Sequence, residues 1–130
     1  MGLWPLYALV GPLALGMATV FHEGGFNVDS TYDTIARLGI TNLAGSPTAY
    51  RLLAGDGPEK AKRVRGQLRV VSSAGEPLNP ETIRWFARHL DAPIQDHYGQ
   101  TELGIGSRAM RDSRRRLSKP AIYAAATRWN

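Results

Sequence analysis

The chain has no cysteine among its 130 residues. This absence excludes disulfide bonds and thiolate zinc sites. The sequence also lacks the G-x-x-x-x-G-K-[ST] phosphate loop and the G-x-S-x-G nucleophile elbow, so neither a P-loop nucleotide site nor an α/β-hydrolase serine is indicated. The three histidines, His22, His89 and His97, show no metal-ligand spacing. What remains is a chain with 43% apolar residues, enough for the core of one small domain.

Positive charge is scarce outside the last residues. The segment 108–130 holds seven basic residues and one acidic residue, whereas 1–107 hold nine basic and ten acidic residues. The formal net charge of +5 therefore comes from the end of the chain, and the body has no basic excess for nucleic acid. We expect no nucleic-acid partner.

Residues 1–21 carry no charged side chain. This stretch is long enough to span a bilayer, but it lacks the positive start of a signal peptide, and its prolines and glycines would interrupt one continuous span. We therefore expect a buried helix at 3–15 and a buried strand at 18–21, with no membrane span.

Strand and helix patterns alternate along the rest of the chain. We predict strands at 40–45, 68–74 and 92–98, and helices at 31–38, 46–53 and 79–90. Asp29 or Ser30 would cap the helix at 31–38, Ser46 the helix at 46–53 and Asn79 the helix at 79–90. This alternation predicts an α/β fold, with a parallel sheet of about four strands and flanking helices.

Two polar patches follow predicted strands. Gly75–Pro77 come directly after the predicted strand at 68–74, and Tyr98–Glu102 come at the end of the predicted strand at 92–98. Ligands of parallel sheets bind beyond the carboxyl ends of the strands, so both patches are placed to share one ligand. Thr101 beside Glu102 suits a phosphate oxygen and a Mg²⁺ ion; the alternative is a capping pair at the start of a helix.

The stretch LRVVSSAGEPLNPETIRWFARHL, followed by DHYGQTELG, resembles the acyl-adenylate-forming (AMP-binding) enzyme superfamily. Within it, the chain is most similar to the acetyl-CoA and medium-chain acyl-CoA synthetases, over about residues 3–106. The resemblance implies a fragment of the large N-terminal domain. It also implies a two-step reaction in which ATP and a carboxylate form an acyl-adenylate, and coenzyme A then forms a thioester. ATP or AMP, Mg²⁺ and coenzyme A are the implied cofactors.

The resemblance also implies roles for single residues. Thr101 would hold the α-phosphate and Glu102 would ligate Mg²⁺, and these two are the expected catalytic residues. Asn27 falls where some members of the family contact coenzyme A. The adenine and the rest of the nucleotide would lie against Gly75, Glu76, Pro77, Asp96, His97, Tyr98, Gly99 and Gln100. Because acetate-specific members carry a tryptophan at the position of Gly99, glycine there implies a longer acyl chain or an aryl acid.

Three parts of the family pattern have no match in these residues: the upstream phosphate loop, a downstream ribose-binding aspartate, and a small C-terminal domain with a catalytic lysine. We therefore expect a fragment that is inactive in isolation. The alternative is a non-catalytic adenylate-binding module or half of a split enzyme. We expect partners that are small molecules (a carboxylate and a nucleotide), a cytoplasmic location, and an oligomeric state that the sequence leaves open.

The segment 107–130 is unlike the family in composition. It is rich in arginine, serine and alanine, with little periodicity. We expect it to be disordered, or to be the product of a shifted reading frame; the alternative is a basic tail for an anionic partner.

Overall fold

The computed structural model describes residues 9–100, 104–108 and 122–126. The helices are α1 (Gly11–Ala14), α2 (Val28–Leu38), α3 (Pro47–Gly55), α4 (Pro58–Ala61), which continues into a 3-10 turn (Lys62–Val64), and α5 (Pro80–Leu90). The strands are β1 (Ala18–Phe21), β2 (Asn42–Gly45), β3 (Val70–Ala74), β4 (Ile94–Gln100), β5 (Gly104–Arg108) and β6 (Ile122–Ala126).

The strands form one sheet in the order β1-β6-β2-β3-β4-β5. All neighbouring pairs are parallel except β4 and β5, which are antiparallel. Leu43 of β2, Val71 of β3 and Ile94 of β4 lie side by side in register. The predicted α/β class with a parallel sheet is confirmed, and the antiparallel strand β5 is an addition to it.

Strand β6 belongs to the segment for which we expect disorder from the sequence. Its five residues, IYAAA, pair with β1 on one side and with β2 on the other. Alanine is a weak strand former, so the local pattern carries little strand signal, and the pairing comes from neighbours distant in sequence. Most of 107–130 lies outside the described residues, and the boundary at residue 106 stays a prediction.

Local capping explains where the helices begin and end. Asn27, rather than Asp29 or Ser30, caps α2: its side chain accepts a hydrogen bond from the backbone N–H of Ser30 at 3.0 Å, so the helix begins three residues earlier than predicted. The predicted caps Ser46 and Asn79 both accept backbone N–H groups of their helices. These polar caps satisfy donors that the first helical turn leaves without partners.

The main core lies between the sheet and helices α2, α3 and α5. Tyr50 and Phe86 meet there edge to face, with ring centroids 5.1 Å apart. The other large side chains that are almost fully buried in this core are Tyr32, Ile35, Ile40, Leu43, Leu53, Val64, Val71 and Leu90.

The N-terminal apolar segment is not buried as predicted. Only α1 of the expected helix at 3–15 is described as α-helix; residues 1–8 lie outside the described residues. Leu13 is 55% exposed and Leu15 is 77% exposed, because the described chain covers this helix on one side only. Among the described residues, no helix has both the length and the apolar character needed to cross a bilayer.

Candidate functional site

The two polar patches meet at the carboxyl edge of the sheet. Ala74, the last residue of β3, lies in register with His97 of β4. Strand β4 then continues for three more residues, to Gln100, while the chain leaves β3 through Gly75–Pro77. The turn after β3 and the end of β4 are therefore neighbours at the edge where ligands of parallel sheets bind.

Gly75 opens the turn with a φ of +101°, a conformation that side-chain-bearing residues rarely adopt. A Cβ at this position would meet nothing within 4 Å. The backbone angle, rather than lack of space, therefore selects glycine here. The three residues Gly75–Pro77 are all exposed, so the turn presents its surface to solvent.

Glu76 is held by side chains in the first turns of helix α3. The Thr48 hydroxyl donates to Glu76 Oε2 at 3.2 Å, and Arg51 Nη2 donates to Thr48 Oγ1 at 2.9 Å. Arg51 Nη2 also lies 3.5 Å from Glu76 Oε2. We call these three residues the Glu76 clamp. The clamp ties the turn after β3 to the first turns of α3.

Tyr50 braces the two strands beneath the clamp. Its hydroxyl donates to the carbonyl of Ser72 in β3 at 2.7 Å and lies 3.3 Å from the carbonyl of Leu43 in β2. Burial raises the pKa of Tyr50 well above its ordinary value of 10.0. Its ring lies against Gly45, where a Cβ would come within 3.2 Å of the ring carbons. Tyr50 thus holds β2 and β3 together just before both reach the edge.

Asp96 and His97 follow each other on β4, so their side chains leave opposite faces of the sheet. Asp96 shares its face with its register partner Ser73, and His97 shares the other face with Ala74. Both side chains are half-buried. They lie beside the turn after β3, but their alternation does not bring them together as a dyad.

A second contact orders the connection after β1. His22 Nε2 lies 2.7 Å from the Ser30 hydroxyl in the first turn of α2. Ser30 also donates its backbone N–H to the side chain of Asn27. In this structure, Asn27 therefore serves as the cap of α2.

The remaining predicted site residues cannot be compared with the structure in the same way. Thr101 and Glu102 lie outside the described residues, and of Tyr98, Gly99 and Gln100 only the backbone is described. Within the part of the chain that is described, no three His, Asp or Glu residues are grouped so that they could hold a metal ion. The roles of Thr101 with phosphate and Glu102 with Mg²⁺ stay predictions.

Two residues of the clamp were missed from the sequence. Thr48 and Arg51 lie in SPTAYR at the start of α3, a stretch that local pattern identifies only as a capped helix. The available signal was topological. The connection after β2 ends at the same edge as the connection after β3, since these strands are parallel neighbours.

Known proteins with the same fold identify the family. The model of the family described as "AMP-binding enzyme" matches residues 4–125. The chain belongs to this family. The chain is 40% identical to acetyl-coenzyme A synthetase of Bacillus subtilis over 100 residues, which cover 76% of this chain and 18% of that protein.

Solved structures of AMP-binding relatives agree with the fold. An acyl-CoA synthetase from Brucella canis matches with a TM-score of 0.76 and 64% identity, over 82% of this chain and 20% of that one. ATP-bound MatB from Rhodopseudomonas palustris matches with a TM-score of 0.55 and 29% identity, over 69% of this chain and 17% of that one. The chain thus spans about a fifth of the length of the relatives it matches.

Proposed function

We propose that this chain forms part of the nucleotide-binding face of an AMP-forming acyl-CoA synthetase, an acid–thiol ligase. The adenine would lie against Gly75–Pro77, and Asp96–Gln100 would continue the wall. The supporting observation is the meeting of the turn after β3 and the end of β4 at the carboxyl edge of the sheet. The 64% identity to an acyl-CoA synthetase over most of the chain supports the same assignment.

In the proposed parent reaction, a carboxylate oxygen attacks the α-phosphorus of ATP and pyrophosphate leaves. The thiol of coenzyme A then attacks the acyl carbon, loses its proton and displaces AMP. Thr101 would donate a hydrogen bond to an α-phosphate oxygen, and Glu102 would hold Mg²⁺. The metal would neutralise charge that develops on the phosphate oxygens. The turn Gly75–Pro77 would orient the nucleotide during both steps.

The isolated 130-residue chain should bind adenylate but form no thioester. The edge described above would supply a wall for the nucleotide, and the chain corresponds to only 16–20% of the length of its relatives. Loss of a single transition-state hydrogen-bond donor typically costs about 10²–10³ in rate. Loss of the phosphate-binding loop and the lysine expected in the family would cost many such factors. Measurable thioester formation by the purified chain would contradict this part of the proposal.

Adenylate binding is the direct test. Titration calorimetry of the purified chain with AMP should show saturable binding. Glu76→Ala should weaken that binding because it removes the clamp at the turn. Glu81→Ala is a matched control, since Glu81 is also an exposed carboxylate paired with an arginine, Arg84, but lies on α5. A wild-type chain with no AMP signal, or equal losses in both variants, would contradict the adenine assignment.

A split enzyme is the second candidate, and exposed apolar side chains near the N-terminus favour it. Val10 and Phe21 are 52% and 41% exposed, and Leu13 of α1 and Leu15 directly after it are exposed as well. Several exposed apolar side chains in one short segment fit a surface that packs against further protein. Mixing the chain with a polypeptide that carries the rest of a synthetase should restore thioester formation. A chain that binds AMP and stays inactive in every mixture would instead be a binding module.

The acyl group and the cellular location follow from the family assignment as proposals. Glycine at position 99 would leave the acyl tunnel open, which predicts medium-length or aryl acids as substrates. In a complete synthetase that contains this chain, Gly99→Trp should shift the preference towards acetate. An unchanged chain-length preference would contradict this. A cytoplasmic location is proposed on the same grounds.

A further inference from the structure

The carboxylate of Glu76 is engaged on the side of α3. Its Oε2 accepts from the Thr48 hydroxyl and lies 3.5 Å from the Arg51 guanidinium. We infer that Glu76 is a positioning residue: the clamp sets the shape of the turn, and the base contacts the backbone of Gly75–Pro77 rather than the Glu76 carboxylate. This inference rests on the adenine site proposed above and adds Thr48 and Arg51 to it.

The turn needs such an anchor because its two ends are fixed and its middle is not. On one side, β3 is paired with both β2 and β4. On the other side, Leu78 packs against the core and Asn79 caps α5. Between these ends lies Gly75, whose residue type allows many backbone conformations. A carboxylate tied to a neighbouring helix restricts that freedom.

The three clamp residues act together on one oxygen atom. Arg51 donates to Thr48, and Thr48 donates to the same Glu76 oxygen that Arg51 approaches. Thr48 and Arg51 lie three residues apart on α3, so the helix presents both on one side. The Glu76 and Arg51 side chains are 52% and 51% exposed. Since exposed pairs contribute little each, we expect modest effects, of about threefold to tenfold.

The rival possibility is that the Glu76 carboxylate binds the adenine directly. The two possibilities differ in what Thr48 does. If Glu76 only positions the turn, Thr48→Val should reproduce the effect of Glu76→Ala, and Thr48→Ser should restore wild-type behaviour because it keeps the hydroxyl. If Glu76 contacts the base directly, Thr48→Val should leave binding nearly unchanged.

Hydrogen exchange tests, without any ligand, whether the clamp orders the turn Gly75–Pro77. In the full 130-residue chain, exchange of the peptide that covers 75–78 should accelerate about threefold to tenfold in Thr48→Val and in Arg51→Met. It should stay at the wild-type rate in Thr48→Ser and in Arg84→Met, which breaks a similar exposed pair on α5. Exchange in 31–38 of α2, which contains none of the substituted residues, serves as the internal reference for intact folding. Unchanged exchange at 75–78 in both Thr48→Val and Arg51→Met would overturn the inference.

AMP binding by the clamp variants tests whether the ordered turn contributes to the affinity for the nucleotide. The dissociation constant should rise about threefold to tenfold in Thr48→Val and Glu76→Ala, and the double variant should lose no more than either single variant, since the two residues act as a unit. Additive losses, or a turn that loosens with no change in affinity, would overturn the positioning role. If the wild-type chain binds no AMP, the proposed function and the adenine role both fail, while the exchange result still decides whether the clamp orders the turn.

Discussion

Replacing Tyr50 with phenylalanine tests how strongly the carboxyl edge depends on the strands beneath it. The Tyr50 side chain is fully buried, and its hydroxyl donates to the Ser72 carbonyl at 2.7 Å. Phenylalanine keeps the ring and its edge-to-face contact with Phe86 but leaves that carbonyl without this donor. Because a buried acceptor that loses its partner costs about 1–3 kcal/mol, we expect the free energy of unfolding to fall by about 1.5 kcal/mol at neutral pH.

The pH dependence of the free energy of unfolding gives a second, independent measure of how Tyr50 contributes to stability. Burial raises the pKa of folded Tyr50 well above 10.0, whereas the unfolded side chain titrates near that value. Above pH 10.0 the unfolded state therefore binds fewer protons than the folded state, and stability falls as the pH rises. This group contributes a slope of about 1.4 kcal/mol per pH unit. The contribution is complete below pH 10.0 and is lost as the pH rises through the folded pKa.

Urea unfolding of the 130-residue chain, followed by circular dichroism, measures both effects. At neutral pH the urea concentration at the Tyr50→Phe midpoint should fall by about 0.5–1.5 M. Above pH 10.0, the gap between the two proteins should narrow, because the variant lacks the titrating hydroxyl. Tyr32→Phe is the control: its hydroxyl lies 3.4 Å from the Leu53 carbonyl, so its loss at neutral pH should be smaller. The reasoning would be refuted if Tyr50→Phe were as stable as the wild-type chain at neutral pH and lost stability above pH 10.0 as steeply as the wild-type chain does.

Two further substitutions test packing and charge in the same fold. Gly45→Ala should destabilise the chain by about 1–3 kcal/mol, because the new Cβ would lie 3.2 Å from the ring of Tyr50, which hydrogen bonds hold in place. Gly55→Ala is the control: a Cβ there would meet nothing within 4 Å, so this variant should be neutral or slightly stabilising in thermal unfolding. Equal losses of stability in the two variants would contradict the packing argument. Lys60→Met should lower the Tm slightly at low salt and not at about 1 M salt, because it removes a cation that pairs with two aspartates. Lys62→Met, which breaks a pair with one carboxylate, should have a smaller effect, and a Lys60→Met loss that persists at high salt would exclude an ionic origin.

Local chemistry was enough to predict most of the helices. Asn79 followed by Pro80 starts α5, because the cap accepts a backbone N–H and proline fits the first turn. Gly39 ends α2 with a φ of +63°, which glycine adopts at little cost. The start of α2 was predicted less well, since three polar residues within four positions, Asn27, Asp29 and Ser30, compete as caps and only the packed helix decides among them. Helix α1 is more exposed than predicted for a related reason: an apolar stretch is buried only where other parts of the protein cover it.

The sequence by itself determined the alternation of strands and helices, and with it the parallel sheet and the edge shared by Gly75–Pro77 and the end of β4. These follow from periodicity and caps, which act over a few residues, and from the general rule for parallel sheets. Only the tertiary structure decided that β6 lies between β1 and β2 and that Thr48 donates to Glu76, 28 residues away. Pairing between distant segments depends on how whole elements pack, and no local pattern in IYAAA or SPTAYR specifies the partner.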